Sequence, residues 1–79
     1  MQEGSFLMSE QKRKIGFTVV CVNEFANRHK LIRKEAFRYL FQFKGIAFIK
    51  ENYDVEHTLD FDTILDDLEI LCKKNGGTL

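Results

Sequence analysis

Two cysteines and two histidines are the first residues to test, because four such side chains match the ligand complement of a zinc site. Their spacing defeats that reading. Cys21, His29, His57 and Cys72 stand singly, without the close Cys or His pairs that let one short segment grip a metal. The carboxylates Asp60, Asp62, Asp66, Asp67 and Glu69 are dense enough for calcium, but their order lacks the glycine that a calcium loop needs at its sharp turn. They read instead as the solvated face of a helix. Cys21 sits inside an apolar run, where a thiol is inert. No Gly-rich loop stands between a strand and a helix, so no phosphate cradle is expected. His57 lies near Asp54 and Glu56, but no nucleophile accompanies it. The sequence therefore predicts no enzyme: no catalytic residue, metal, cofactor or small-molecule substrate.

Binding is the chemistry that remains. Lys30, Arg33, Lys34, Arg38, Lys44 and Lys50 are interleaved with aromatics, a pattern that suits phosphates and stacked bases. The cations are diffuse, however, and no DNA-binding signature accompanies them. A protein partner or a homo-oligomer is the more economical expectation. Around Ala36 and Leu40 the aromatics spread wider than one buried stripe needs, with Tyr39 and Phe43 beside it and Arg38 and Gln42 on the polar side. Aromatic surface rimmed by cations resembles an interface core. The competing reading is that a third helix covers it. The expected partner-binding residues are thus Arg38, Tyr39, Gln42 and Phe43, together with Val20, an apolar residue on the polar side of the preceding helix.

Four helical segments position these residues. The first spans residues 9–30: Ser9 is the N-cap, and Ile15, Val19, Val22 and Ala26 follow the helical period with Phe25 beside them. The second spans residues 33–44, with Ala36, Phe37, Leu40 and Phe41 as its apolar stripe and Gly45 as its stop. A short third segment spans residues 46–52, with Ile46, Ile49 and Tyr53 on one face, and leads into a loop over residues 53–58. The fourth spans residues 61–74. Asp60 caps it, Phe61, Ile64, Leu65, Leu68, Leu71 and Cys72 form its stripe, Ile70 alone is off the pattern, and Asn75-Gly76-Gly77 ends it. The expected fold is all-α, a compact bundle of three long helices plus one short helix. The expected limits are a flexible lead over residues 1–8, one helical domain over residues 9–75, and a flexible tail over residues 76–79. Met8 offers an alternative start.

Composition agrees with a small folded domain. A chain of 79 residues buries only roughly 60–65% of its unfolded surface, so its core must be dense, and eight Phe supply the material. Two cysteines are too few for a disulfide framework and point to a reducing, cytoplasmic setting. Lys12-Arg13-Lys14 and the apolar run after it imitate a signal peptide, but Asn23-Glu24 ends the run with no cleavage site beyond. The run is also far short of the ~20 residues that a membrane span needs, so no membrane contact is expected. Charge is polarised. Residues 1–50 hold ten Lys/Arg against four Asp/Glu, and residues 51–79 hold two against eight, or +6 against −6. The halves can attract each other within the fold or offer two surfaces of opposite sign.

From Ile15 onward the chain resembles a family of small bacterial helical proteins of uncharacterised function. The resemblance rests on residues 17–26 (FTVVCVNEFA), residues 34–37 (KEAF), residues 71–77 (LCKKNGG) and, most specifically, residues 53–58 (YDVEHT). It implies a stand-alone helical module encoded near ADP-ribosyltransferase-like toxin genes, and so an antitoxin-like or accessory binding protein. It also singles out Tyr53, Asp54, His57 and Thr58, either as a structural hinge or as a recognition loop. As a hinge, Tyr53 would pack inward while Asp54 or Thr58 accepted backbone N–H bonds. One departure stands out: Leu31-Ile32 occupies the place of a Ser or Thr cap before Lys34-Glu35.

Overall fold

A computed structural model describes residues 9–79. Helices make up 77% of these and no strand is present among them, so the fold is all-α. The expected lead over residues 1–8 lies outside the described residues. In chain order the helices are α1 (Glu10–His29), α2 (Arg33–Gln42), α3 (Gly45–Glu51), α4 (Tyr53–Glu56) and α5 (Phe61–Lys74). The fourth of these, α4, is a single turn where a loop was expected.

Local chemistry sets most boundaries. The Ser9 hydroxyl accepts the Lys12 amide at 3.1 Å, and the Asp60 carboxylate accepts the Thr63 amide at 2.8 Å; each satisfies a donor that the first turn leaves orphaned. Helix α2 has no such hydroxyl, because an isoleucine side chain accepts nothing. Half of a capping box substitutes: the Glu35 carboxylate reaches back to the Ile32 amide at 3.3 Å.

The stop after α2 differs from expectation. Helix α2 ends at Gln42, Lys44 takes the left-handed conformation (φ 72°), and Gly45 is already the first residue of α3. Gly45 is needed for closeness: a Cβ there would meet Leu40 Cδ2 at 2.8 Å, so α3 crosses the end of α2 nearly backbone to side chain. The turn after α1 uses a second left-handed lysine, Lys30 (φ 57°), whose amide bonds back to Ala26 and Asn27. Left-handed geometry at a non-glycine residue costs about 1 kcal/mol.

The core gathers one stripe from each long helix: Cys21, Val22, Phe25 and Ala26 from α1, Ala36 and Leu40 from α2, Ile46 and Ile49 from α3, and Ile64, Leu65, Leu68 and Cys72 from α5. Helix α5 matches its sequence pattern at the buried Ile64, Leu65, Leu68 and Cys72 and at the exposed, off-pattern Ile70, while Phe61, expected in the stripe, is exposed and Leu71 is half-buried. Helix α1 does not. Ile15 and Val19, expected in the stripe, are 53% and 49% exposed, while Thr18 and Cys21 turn inward. Residues 76–79, expected as a loose tail, fold back: the Leu79 amide donates to the Tyr39 hydroxyl at 2.9 Å and Leu79 packs on the core. Gly77 allows this approach, since a Cβ would collide with the Tyr39 ring.

Candidate protein-binding face

The aromatics of α2 divide between its two flanks. On one, Tyr39 and Phe43 are half-buried. Tyr39 stacks on Phe25 with centroids 5.7 Å apart, Phe43 lies 4.8 Å from Tyr39, and both pack against the core. Part of their surface is covered by α1 and by residues 76–79, so less of it is open to a partner than the sequence suggested. On the other flank Phe37 and Phe41, expected in the core stripe, are 47% and 67% exposed and stack on each other at 6.0 Å.

This second flank faces the equally exposed Ile15–Val19 edge of α1. Between them lies an open cleft of about 430 Å³, with Val19, Val22 and Phe37 as apolar lining and Arg33 and Lys34 at its mouth. The Asn23 side-chain oxygen, on the same cleft, is buried with no hydrogen-bond partner among the described residues. Past Phe41 a second cleft continues between α2 and α3, lined by Phe41, Ala47, Lys44 and Lys50. Lys50 also borders a third hollow with Glu10, Lys14 and Ile15 at the start of α1, so the rim of the apolar residues is mostly basic, with Glu10 paired to Lys14 and Glu51 on the same cleft as Lys44 and Lys50. Among the described residues no carboxylate lies within salt-bridge distance of Arg33, Lys34, Lys44 or Lys50. Arg38 and Gln42 are exposed on α2, next to this face. Val20 is exposed too but takes no part in the cleft lining.

The opposite side of α1 is electrostatically closed. The Arg28 guanidinium bonds Asp66 at 2.8 Å, Glu69 at 3.1 Å and Asp62 at 3.3 Å, and His29 Nε2 meets the same Glu69 carboxylate at 2.9 Å. Hydrogen bonds to Asp66 and Glu69 hold the Arg28 pKa above its ordinary value. Of the α5 carboxylates read from sequence as a solvated face, Asp62, Asp66 and Glu69 thus pair with α1, and Asp62 and Asp66 stay exposed to solvent.

The Tyr53–Thr58 residues form a local clasp. Tyr53 packs edge-on against Phe17 at 5.5 Å and stacks flat on His57 at 4.4 Å. His57 Nδ1 lies 2.6 Å from the Tyr53 carbonyl oxygen; since a carbonyl only accepts, that nitrogen carries the proton. Thr58 donates its hydroxyl to the Val55 carbonyl at 2.7 Å, the reverse of the acceptor role expected for it. Asp54 is exposed.

Elsewhere the reactive groups are muted. Burial pushes the Cys21 thiol up to about 12 and the Cys72 thiol up to about 11, so both are protonated at neutral pH. Glu56 is 5% exposed, its Oε1 lacks a partner among the described residues, and burial and the neighbouring Asp67 raise its pKa. Its burial was invisible in the sequence, because a glutamate in an acidic stretch reads as solvated. Among the described residues no helix is long and apolar enough to cross a membrane, and no group of three or more His, Cys, Asp or Glu is placed to hold a metal.

No curated protein and no solved structure matches this chain. A family model does, and it spans the helices that build both the closed seam and the open cleft. With residues 16–75 matched by the model of the family described as "Protein of unknown function (DUF3791)", the chain belongs to that family.

Proposed function

We propose that this chain is a non-enzymatic protein-interaction module acting in the cytoplasm of a bacterial host, antitoxin-like or accessory to a neighbouring toxin, and that it engages its partner through the α1–α2 face. One observation carries the reading: of the large apolar residues left exposed, Ile15, Val19, Phe37 and Phe41 are the ones that gather along the α1–α2 clefts, whereas Ile32, Val55 and Ile70 line none of these. Contiguous exposed apolar surface inside a polar rim marks an interaction site. The muted thiols and the hydrogen-bonded His57 support a binding role over a catalytic one. Affinity capture from the native host, read by mass spectrometry with and without nuclease, tests it. A partner should be retained by the native chain and lost with Phe37→Ala/Phe41→Ala. Equal capture by both would count against this face.

A second reading, nucleic-acid binding, is favoured by one feature of the same region. Arg33, Lys34, Lys44 and Lys50 lack carboxylate partners among the described residues and flank two exposed aromatic rings. It predicts retention on DNA or RNA that weakens steeply with salt. No binding at low salt would eliminate it.

A further inference from the structure

The occupant of the α1–α2 cleft can be narrowed by charge. We infer that the cleft takes an amphipathic helix of a partner protein, with an apolar stripe flanked by Asp and Glu. This rests on the reading of that face as a protein-binding surface.

The shape fits first. Ile15 and Val19 lie one turn apart on α1, and Phe37 and Phe41 lie one turn apart on α2. Two such ridges with a trough between them suit a third helix, which packs at about 8–10 Å from its neighbours. The rim then selects the charge. Arg33, Lys34, Lys44 and Lys50 line the apolar strip against one carboxylate, Glu51, and none of the four has a carboxylate within salt-bridge distance among the described residues. Flanking acids on the incoming helix would supply those partners.

A second copy of the chain fits poorly. A two-fold dimer through this face would set like charges against each other. A head-to-tail contact needs an acidic patch, yet Asp62, Asp66 and Glu69 bond Arg28, Asp60 caps α5, Glu35 caps α2 and Glu56 is buried, which leaves the exposed Glu51 and Asp54 against four cations.

The test uses the full chain, isotope-labelled for amide NMR, and synthetic peptides of about five helical turns with a leucine stripe. One peptide carries flanking Glu, and its twin carries Lys at the same places. The Glu peptide should shift the amides of Val19, Asn23 and Phe37 and bind at least about tenfold tighter than its twin. Phe37→Glu, which alters an exposed position, should abolish that binding and leave the remaining spectrum folded. Equal affinities, shifts confined elsewhere or no shift at all would overturn the inference. So would a single-stranded oligonucleotide displacing the Glu peptide, or a dimer in sedimentation that Phe37→Glu dissociates. If the peptides fail while Phe37→Ala/Phe41→Ala still loses the captured host partner, the protein-binding face stands and only the acidic-helix identity falls.

Discussion

Helix α1 meets two neighbours in opposite ways. Toward α5 it offers Cys21 and Phe25 to a closed core and Arg28 and His29 to three carboxylates, so apolar area and charge are both matched within the chain. Toward α2 it meets Ala36 and Leu40 beneath, but its upper edge leaves Val19 opposite Phe37 across open space, beside cations without carboxylates. The polarity of the sequence, +6 against −6, suggested one global attraction between the halves. The structure shows the attraction concentrated at Arg28 and His29, while Arg33, Lys34, Lys44 and Lys50 lie along the clefts on the other flank. A seam that is saturated internally stabilises the fold; a face that is not is available for a partner.

This contrast can be broken first at the core. Phe25→Ala, which removes a fully buried ring, should cost about 3–5 kcal/mol in chemical denaturation, enough to threaten a domain of this size. Next comes the seam. Arg28→Ala leaves Asp62, Asp66 and Glu69 facing one another without their cation, and should lower Tm more than Lys34→Ala does. The loss should shrink as salt rises, because part of what remains is screened repulsion.

Glu56 gives a test with a fixed sign. Its folded pKa is raised above the ordinary 4.5, so between those two values the folded chain holds more protons than the unfolded one. Its ionisation therefore removes stability as pH climbs from about 4.5 through the raised value. Glu56→Gln should stabilise by about 1 kcal/mol at neutral pH and flatten that slope in thermal melts. Asp60 acts in the opposite sense. Its pKa is lowered by the Thr63 amide, so its contribution is present above the ordinary 3.8 and is lost as pH falls through the lower folded value. Asp60→Asn, which keeps a capping oxygen, should reduce that acid-side dependence.

Lys44→Gly separates folding from binding. It should gain about 0.5–1 kcal/mol by relieving the left-handed lysine, and at the same time weaken partner capture. The smallest effect on stability is expected at Phe41→Ala, within about 0.5 kcal/mol in the same denaturation assay, although it removes a ring from the proposed interface. A large loss there would mean that Phe41 belongs to the fold and not to a binding face.

The sequence by itself determined what local chemistry can determine. Ser9 and Asp60 fix two helix starts through single side-chain acceptors, and Gly76-Gly77 end α5 at the predicted place. The α5 stripe was legible because its apolar residues occupy one face and almost nothing competes for it. Membership of a family without an assigned activity was legible in residues 53–58 and the stretches around them. Only the tertiary structure decided the rest. On α2 the pairs Phe37/Phe41 and Tyr39/Phe43 lie on either flank of Ala36/Leu40 at the same one-turn spacing, so periodicity cannot choose between them. The choice is made by distant residues: Phe25 stacks on Tyr39, and residues 76–79 close over it. The same holds for Glu56, buried by helices remote in sequence, and for Lys44, whose strained turn follows from how closely Gly45 must pass Leu40. Capping and periodicity act within a turn or two of chain, whereas which flank stays open depends on what folds back across it; that is why Tyr39 and Phe43, expected at the interface with Arg38, Gln42 and Val20, are half-buried while Phe37 and Phe41 on the same helix stay exposed.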